Sequence, residues 1–251
     1  MKECVNLRVV LALQLIDTVT GTSCERFSFR VTHPEFLSVQ WKKQGGYLVF
    51  SGVRERFTGQ IRLTSPEYAD VSLSLPEDPA LLPEEVVRPC LLYPRRRYRP
   101  PRAMPCVEGR TAPFALVKAM QTEERTRMVL GRDLQPQDTE ITVFSEDGRG
   151  PSAVCLSRGS AEHWAVLIRK PGDPERYLLA QPAGEAFPRK DSRLRRAFLT
   201  RADENGDFTL FLPGLEPGCR QITLFLEQEG QPPAALPCPV EQDRRTVWKQ
   251  P

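Results

Sequence analysis

The side chains best suited to chemistry in this sequence are two histidines and seven cysteines among 251 residues. Nucleophilic catalysis needs a base beside a serine or cysteine, and a zinc site needs clustered thiolate or imidazole ligands. His33 precedes a proline in a predicted turn, and His163 begins a predicted strand. No Walker A, G-x-S-x-G or H-E-x-x-H motif occurs. The sequence therefore predicts a protein that is not an enzyme and that uses no cofactor.

The cysteines are odd in number and lack any C-x-x-C pair. They are Cys4, Cys24, Cys90, Cys106, Cys155, Cys219 and Cys238. This pattern favours reduced thiols buried as small apolar side chains over a disulfide framework. If that interpretation fails, Cys90 with Cys106 and Cys219 with Cys238 are the pairs to examine first.

One acidic segment, Asp203–Asp207, has the alternating oxygen side chains that open a calcium loop. The rest of such a loop is missing, because a strand-like segment follows and no glutamate falls at its twelfth position. The other interpretation is a turn at Asn205-Gly206, since both residues tolerate a positive φ. The aligned segment Lys43–Gly46 has no carboxylates, which favours the turn.

Residues 94–106 hold five arginines and four prolines. Prolines favour extended backbone, so this segment is predicted to be a semi-rigid linker. Its candidate partner-contact residues are Arg95, Arg96, Arg97, Tyr98, Arg99 and Arg102. Arginines can also neutralise nucleic-acid phosphates, but the formal net charge is only +3 and no known nucleic-acid module is present. Protein subunits are therefore the predicted partners, in preference to nucleic acid.

The amino terminus superficially suggests a signal peptide. Arg8 and Gln14 interrupt its apolar stretch, and no small-residue cleavage pattern follows. No apolar run approaches the roughly 20 residues of a membrane span. The predicted location is the cytoplasm, with no membrane span.

A sequence pattern at residues 44–63 recurs at residues 205–224. Gly45 aligns with Gly206, Tyr47 with Phe208, Val49 with Leu210, Phe50 with Phe211, and Gln60-Ile61 with Gln221-Ile222. Each copy reads as a turn, an aromatic-led strand, a second glycine turn and another strand. Such a duplication predicts two related β-modules.

Short apolar runs between 24 prolines and 16 glycines predict many strands and few helices. The predicted fold class is all-β, with a β-sandwich at 1–93, a Pro/Arg-rich linker at 94–106 and a larger β-sandwich with inserted loops at 107–251. Residues 121–137 are open to a short helix or an ordered loop. The predicted strands are Asn6–Ile16, Arg26–Val31, Leu37–Trp41, Tyr47–Phe50, Gly59–Thr64, Asp70–Leu75, Ala115–Met120, Thr139–Phe144, Trp164–Arg169, Tyr177–Ala180, Arg195–Leu199, Phe208–Leu212 and Gln221–Leu226.

Several turns resemble those of the carboxypeptidase-regulatory-like (transthyretin-like) β-sandwich family, an Ig-like architecture. The matching segments are Asp17-x-x-Thr20-Gly21, Lys42-x-x-Gly45-Gly46-Tyr47-Leu48-Val49-Phe50, Ser65-Pro66-x-Tyr68 and Thr200–Phe208. The first module departs from the family in having Gln44, where an acidic residue or asparagine usually precedes the glycine. The resemblance implies tandem non-catalytic modules that act as adhesive or spacing units. Its fold-signature turn residues are Gly45, Gly46, Tyr47, Asn205, Gly206 and Phe208.

A narrower resemblance concerns the order of modules, the Leu92-Tyr93-Pro94 junction and the segment Ala202–Leu215. This succession is similar to accessory proteins encoded with phage-tail-like contractile injection systems. It implies a structural subunit docked on the tube, cap or baseplate, assembled in the cytoplasm and carried in a released particle. The alternative is a carbohydrate- or cell-surface-binding β-sandwich protein, for which Trp41, Trp164 and Trp248 are the available tryptophans. An enzyme of unrecognised type is a third hypothesis.

Overall fold

A computed structural model describes residues 8–25, 29–33, 39–52, 59–75, 87–123, 126–228, 231–241 and 245–249. In these ranges the regular secondary structure consists of β-strands, and no helix occurs. The predicted all-β class is therefore confirmed. These ranges accordingly contain no helix with the length and apolar character needed to cross a membrane.

The chain divides into two compact units. The first comprises Met1–Asp17 and Ser23–Leu92, and the second comprises Thr18–Thr22 and Tyr93–Pro251. The segment 94–106, predicted as a separate linker, therefore belongs to the second unit. Among the residues described before this segment there are eight strands: β1 (Arg8–Asp17), β2 (Thr22–Ser23), β3 (Arg30–Thr32), β4 (Val39–Gln44), β5 (Tyr47–Gly52), β6 (Gly59–Thr64), β7 (Val71–Leu75) and β8 (Val87–Leu92).

In the first unit, β1 lies inside a sheet with antiparallel β5 on one edge and parallel β8 on the other. Strand β4 extends this sheet beyond β5, and β2 also pairs with β1. A second sheet has the order β3-β6-β7. In β6, Ile61 and Leu63 are fully buried whereas Arg62 between them is exposed. This is the period-two pattern that the sequence predicts for a strand with one face in the core.

The described part of the second unit holds twelve strands. They are β9 (Cys106–Arg110), β10 (Leu116–Gln121), β11 (Met128–Leu130), β12 (Glu140–Ser145), β13 (Ala153–Arg158), β14 (Ala161–Lys170), β15 (Asp173–Leu179), β16 (Arg193–Arg201), β17 (Asp207–Phe211), β18 (Gln221–Gln228), β19 (Gln231–Pro239) and β20 (Arg245–Val247). They form a nine-stranded sheet and a three-stranded sheet with the order β17-β9-β20.

Six strands of the large sheet close into a ring, which we call the closed sheet. Its order is β11-β12-β15-β14-β13-β16, and Leu194 of β16 pairs with Met128 of β11 to complete it. Apolar side chains from every strand of the ring form one buried cluster. The largest of them include Tyr177 and Phe187, each 1% exposed. Closure gives each strand of the ring a pairing partner on both sides, and β11 and β16 meet at the single pair Met128 and Leu194.

Strand β16 is shared between the closed sheet and the rest of the unit. Its first half, Arg193–Arg196, pairs with β13, and its second half, Ala197–Arg201, pairs with β10. The large sheet then continues through β18 to β19. A second core contains Val117 and Leu224 from this continuation together with Val107 and Leu210 from the three-stranded sheet. One nine-residue strand thus joins two separate apolar cores.

The strand pairings of the first unit recur in the second. Strand β9 lies between antiparallel β17 and parallel β20, as β1 lies between antiparallel β5 and parallel β8. The order β10-β18-β19 likewise repeats β3-β6-β7. The copies differ in the strand that comes before the aromatic-led strand. In the first unit this strand is β4, which pairs with β5. In the second unit it is β16, which pairs with β10 and β13 instead of β17.

The structure adds detail to the predictions about the second module. Its extra length includes strands β11 to β15, three of which overlap the predicted strands Thr139–Phe144, Trp164–Arg169 and Tyr177–Ala180. Met128–Leu130 is a strand, although a helix or loop was predicted around it. Glycine and proline at 148–152 and at 171–174 predict hairpin-like turns. The first turn joins β12 to β13, which do not pair, so it is not a hairpin. The second turn joins the paired strands β14 and β15. Residues 6–7, 26–28 and 37–38 of the predicted strands lie outside the described ranges.

Candidate functional site

Two of the predicted partner-contact arginines form ion pairs within the second unit. Arg95 Nη2 lies 2.5 Å from Glu204 Oε2, and the Arg95 side chain is only 23% exposed. Arg96 Nε lies 3.5 Å from Glu108 Oε2, but its side chain is 78% exposed. Arg95 therefore ties the segment to the unit, whereas Arg96 remains accessible.

Tyr98 is a core residue and not a surface contact. It is 6% exposed, and its ring meets Phe211 edge-on with 5.2 Å between ring centroids. Its amide also donates a hydrogen bond to the Arg95 carbonyl at 3.0 Å. The expectation that Tyr98 contacts a partner therefore does not agree with its position, because an aromatic ring in a mainly charged segment packs inward when apolar surface is available.

The remaining arginines of the segment, Arg97, Arg99 and Arg102, are exposed. Among the described residues none of the three forms an ion pair within 4 Å. Pro100 and Pro101 lie between Arg99 and Arg102, and they restrict the backbone. A stiff segment that presents unpaired cations loses little conformational entropy when it binds a partner.

Phe114, in the turn between β9 and β10, is a candidate contact that the sequence did not reveal. It is 57% exposed and has φ = 60°, a left-handed conformation that is strained for a bulky residue. Its amide donates to the Asp203 carbonyl at 3.2 Å. Asp203 is next to Glu204, the ion-pair partner of Arg95. An exposed aromatic and the arginine segment are thus linked through one turn.

The fold-signature residues of both copies lie at the turns that precede β5 and β17. Gly45 and Gly46 have φ of 55° and 83°, and Gly206 has φ of 83°. Two successive positive φ values define the type I′ turn that suits a two-residue hairpin, here joining β4 to β5. The aromatic residues after these turns are the half-buried Tyr47 and the buried Phe208. Together with the exposed Asn205, these residues form the turns that lead into β5 and β17.

The acidic segment forms a turn stabilised by its own carboxylate. Asp203 Oδ1 accepts hydrogen bonds from the amides of Asn205 at 2.8 Å and Asp207 at 3.0 Å. Asp207 Oδ1 lies 3.8 Å from Arg110 Nε. Within the described ranges there is no group of three or more histidine, cysteine or acidic side chains that could hold a metal ion. The turn interpretation agrees with this geometry.

The described cysteines are free thiols, and all but the partly exposed Cys219 are buried. Burial raises the pKa of Cys90 to about 12, so this thiol stays protonated and unreactive at neutral pH. Burial is also the main cause that lowers the pKa of His163, helped by Lys118 and opposed by Glu185. His163 is therefore neutral at pH 7. Its buried Nε2 has no hydrogen-bond partner among the described residues.

Trp164 and Trp248 offer little open ring surface. Trp248 is 6% exposed. Trp164 packs against Phe225 at 5.3 Å, and Lys118 Nζ lies over its ring at 5.4 Å. The side chain of Trp41 lies outside the described set. A flat ring open for sugar stacking is therefore not found at Trp164 or Trp248.

A polar cavity of about 420 Å³ opens beside the first strand and the last strand of the closed sheet. We call it the basic cavity. It is lined by Thr126, Arg127, Met128, Val129, Arg189, Lys190, Asp191, Ser192, Arg193 and Leu194. Residues 181–193 are rich in polar side chains, but no sequence pattern links them to another segment. The other half of the lining comes from a segment some 60 residues earlier, and pairing of β11 with β16 brings the two halves together.

The cationic side chains of the basic cavity are Arg127, Arg189, Lys190 and Arg193, all exposed. In the part of the chain that the structure describes, none of them forms an ion pair. One acid, Asp191, shares the lining. Two further acids lie nearby and accept backbone hydrogen bonds: Asp133 Oδ1 from the Arg189 amide at 2.7 Å, and Glu146 Oε2 from the Arg127 amide at 3.2 Å. The cavity can therefore attract an anion with these four cations.

Arg196, three residues after Arg193, fixes β16 beside this cavity. Its side chain is 4% exposed, and Nη2 lies 3.2 Å from Asp147 Oδ2. Nη2 also donates to the Arg149 carbonyl at 2.9 Å, and Nη1 donates to the Gly214 carbonyl. Burial raises the pKa of Asp147, but hydrogen bonds from Ser145 and the Arg149 amide, with the Arg196 charge, lower it by more.

No protein-family model, curated protein sequence or solved structure matches this chain. Its function is therefore inferred from the positions and chemistry of its own residues.

Proposed function

We propose that this chain is a non-catalytic structural adaptor built from two tandem transthyretin-like β-sandwiches, with the Pro/Arg-rich segment 94–106 between them. In this proposal, the chain is a subunit of a phage-tail-like contractile injection particle. It docks on the cap, tube or baseplate of that particle, which is assembled in the cytoplasm. The observation that carries the proposal is the repeated pairing pattern. In both copies a strand lies between one antiparallel and one parallel neighbour.

The strain at Phe114 supports a role in protein contact. A left-handed conformation costs an L-residue about 1–2 kcal/mol, and glycine would remove that cost. The ring is 57% exposed, so its packing inside the unit offsets little of this conformational cost. Aromatic side chains that anchor interfaces are typically large and supported by polar neighbours. Phe114 therefore serves as an anchor for a partner, next to the ion pair of Arg95 with Glu204.

The exposed cations of the arginine segment complete the proposed surface. Arg97, Arg99 and Arg102 are exposed, while Arg95 and the buried Tyr98 hold the segment in place. Such rim charges increase the rate of association with an acidic surface and make it sensitive to salt. The partner expected from this surface is a protein subunit with an acidic face and an apolar pocket.

The test is affinity purification of the full chain from its native cells, with mass spectrometry of the recovered proteins. Recovery of sheath, tube or baseplate subunits supports the proposal. A monomer that sediments alone at physiological salt, with none of these subunits, contradicts it. Binding of a glycan on an array, without such subunits, would support the surface-binding alternative instead.

Phe114→Gly separates binding from folding. Because glycine suits φ = 60°, we expect the free energy of local opening around this turn, measured by hydrogen exchange, to stay within about 1 kcal/mol of wild type. Subunit recovery should nevertheless fall strongly. The matched control is Phe144→Ala, which removes another partly exposed ring, 38% exposed, on the closed sheet. If both variants recover the partner equally, Phe114 is not an anchor.

A further inference from the structure

We propose that the basic cavity binds a compact ligand that carries two or more phosphate groups. The inference does not rest on the adaptor role, since the cavity belongs to the closed sheet and the proposed adaptor surface lies around Phe114 and segment 94–106. Its failure would leave the adaptor proposal unchanged.

Charge density selects the ligand class. Four cations face a cavity of about 420 Å³, at the lower end of the range for small-molecule sites of roughly 300–1,000 Å³. One phosphate group carries about −1.5 to −2 charges and three acceptor oxygens. Two phosphates therefore match four cations within this volume. An acidic peptide would need about four residues for the same charge and would not fit inside.

The types of cation agree with this choice. Three of the four are arginines, whose planar guanidinium binds phosphate through two parallel hydrogen bonds. Lys190 adds a point charge. Ser192, also in the lining, has a buried hydroxyl with no hydrogen-bond partner among the described residues. A buried polar atom without a protein partner is uncommon, and here it lies in the wall of the cavity.

Neighbouring carboxylates position the backbone and leave the cations free. Asp133 and Glu146 accept hydrogen bonds from the amides of Arg189 and Arg127, while those side chains form no ion pair with any described residue. Asp191 is the one acid in the lining. It reduces the net charge of the lining from +4 to +3, which two phosphate groups at about −1.5 each still balance.

The lining also limits the rest of the ligand. None of its ten residues is aromatic, and its apolar members are Met128, Val129 and Leu194. A nucleobase would have no ring on which to stack. Recognition therefore concerns the phosphates, either free in a small molecule or carried on a longer polyanion.

The experiment is isothermal titration of the full chain with pyrophosphate at about 0.1 M salt, where long-range attraction is screened. Arg189→Gln/Arg193→Gln should weaken binding by about tenfold or more. Arg30→Gln/Arg220→Gln removes the same charge at exposed positions outside the cavity and outside segment 94–106, and should leave the affinity unchanged. Lys190→Gln, a single exposed substitution, gives a smaller loss and guards against misfolding of the double variant. Far-UV circular dichroism verifies the fold of each.

Four comparison ligands complete the design. Citrate and hexaglutamate test carboxylates, long-chain polyphosphate tests a polymer source, and duplex DNA tests nucleic acid. If polyphosphate binds as tightly as pyrophosphate per site, the ligand is a phosphate polymer. If pyrophosphate binds more tightly, the ligand is a small molecule that carries phosphates. The proposal is overturned by absent pyrophosphate binding, by carboxylates that bind as tightly, by an equal loss in both double variants, or by DNA that binds where pyrophosphate does not.

Discussion

Replacing Arg196 by methionine tests whether one buried guanidinium holds three segments of the second unit together. The side chain is 4% exposed. It extends from β16 to the connection between β12 and β13, through Asp147 and the Arg149 carbonyl, and to the turn that contains Gly214. These segments are distant in sequence, so their relative position depends on this contact.

The expected magnitude depends on the partners that lose their donor. Hydrogen bonds from a charged group each contribute about 1.5–3 kcal/mol, and breaking one side of a buried ion pair costs about 3–5 kcal/mol. Asp147 is 26% exposed, so water replaces part of the lost interaction. Methionine keeps most of the volume, which limits the cost of a cavity. We therefore expect a loss of about 3 kcal/mol in unfolding free energy.

Hydrogen exchange measured by mass spectrometry is the suitable assay. With two units in one chain, a single two-state free energy is not well defined, whereas exchange reports local opening. In Arg196→Met, amides of the segments around Asp147 and Gly214 should exchange about 100-fold faster than in wild type. Amides of β6, in the first unit, should be unaffected.

The control is Arg195→Met on the same strand. The Arg195 side chain is 23% exposed, and its nearest acid, Glu162, lies 4.0 Å away. Such a pair contributes less than about 1 kcal/mol. If the two variants exchange within about threefold of each other at these segments, the Arg196 contacts do not stabilise the unit and the reasoning fails.

Three other predictions concern the same unit. The pKa of Asp147 is lower in the folded state than its unfolded value of about 3.9. The ionised carboxylate therefore contributes its full stabilisation above that value, and this stabilisation is lost as the pH falls through the folded pKa. Asp147→Asn should accordingly make the stability of the unit depend less on pH between about pH 5 and 2. Gly206→Ala should lower the midpoint of thermal unfolding well below that of Gly159→Ala. A Cβ at Gly206 would lie 2.1 Å from the Thr111 carbonyl oxygen, whereas none of the described atoms lies within 4 Å at Gly159, and an equal effect of both would contradict the steric argument. Cys219→Ser should remove one thiol from the fast phase of a thiol-reagent assay. In the wild type, the reaction rate of Cys219 should rise with pH, because burial raises the pKa of this thiol and the reactive thiolate forms only as the pH approaches it. An unchanged fast phase in the variant would show that the thiol is inaccessible.

The local sequence was sufficient for elements whose signal is contained in a few residues. The alternation at Ile61 and Leu63 identified β6, and Gly45-Gly46 identified the turn before β5. The recurrence of that pattern at Gly206 correctly predicted a turn and a strand there. Each of these predictions depended on neighbouring residues, where backbone sterics and the period-two exposure of strands act directly.

The candidate sites required contacts between distant segments. Tyr98 looked like a surface residue because arginines surround it, yet Phe211 provides an apolar surface that buries it. Phe114 gave no sequence signal, since its left-handed φ depends on the strands that flank it. The basic cavity combines residues 126–129 with residues 189–194, and only the ring of strands makes them neighbours.

Composition, turn chemistry and a repeated phrase by themselves determined that this protein is all-β and carries a duplicated strand pattern, because these properties arise from local backbone preferences. The tertiary structure decided that the residues between β10 and β16 form a closed sheet, and which cations line the basic cavity. Ring closure depends on one long-range pairing, Met128 with Leu194. Such a contact leaves no pattern in either segment alone, since a strand edge reads the same whichever partner it meets.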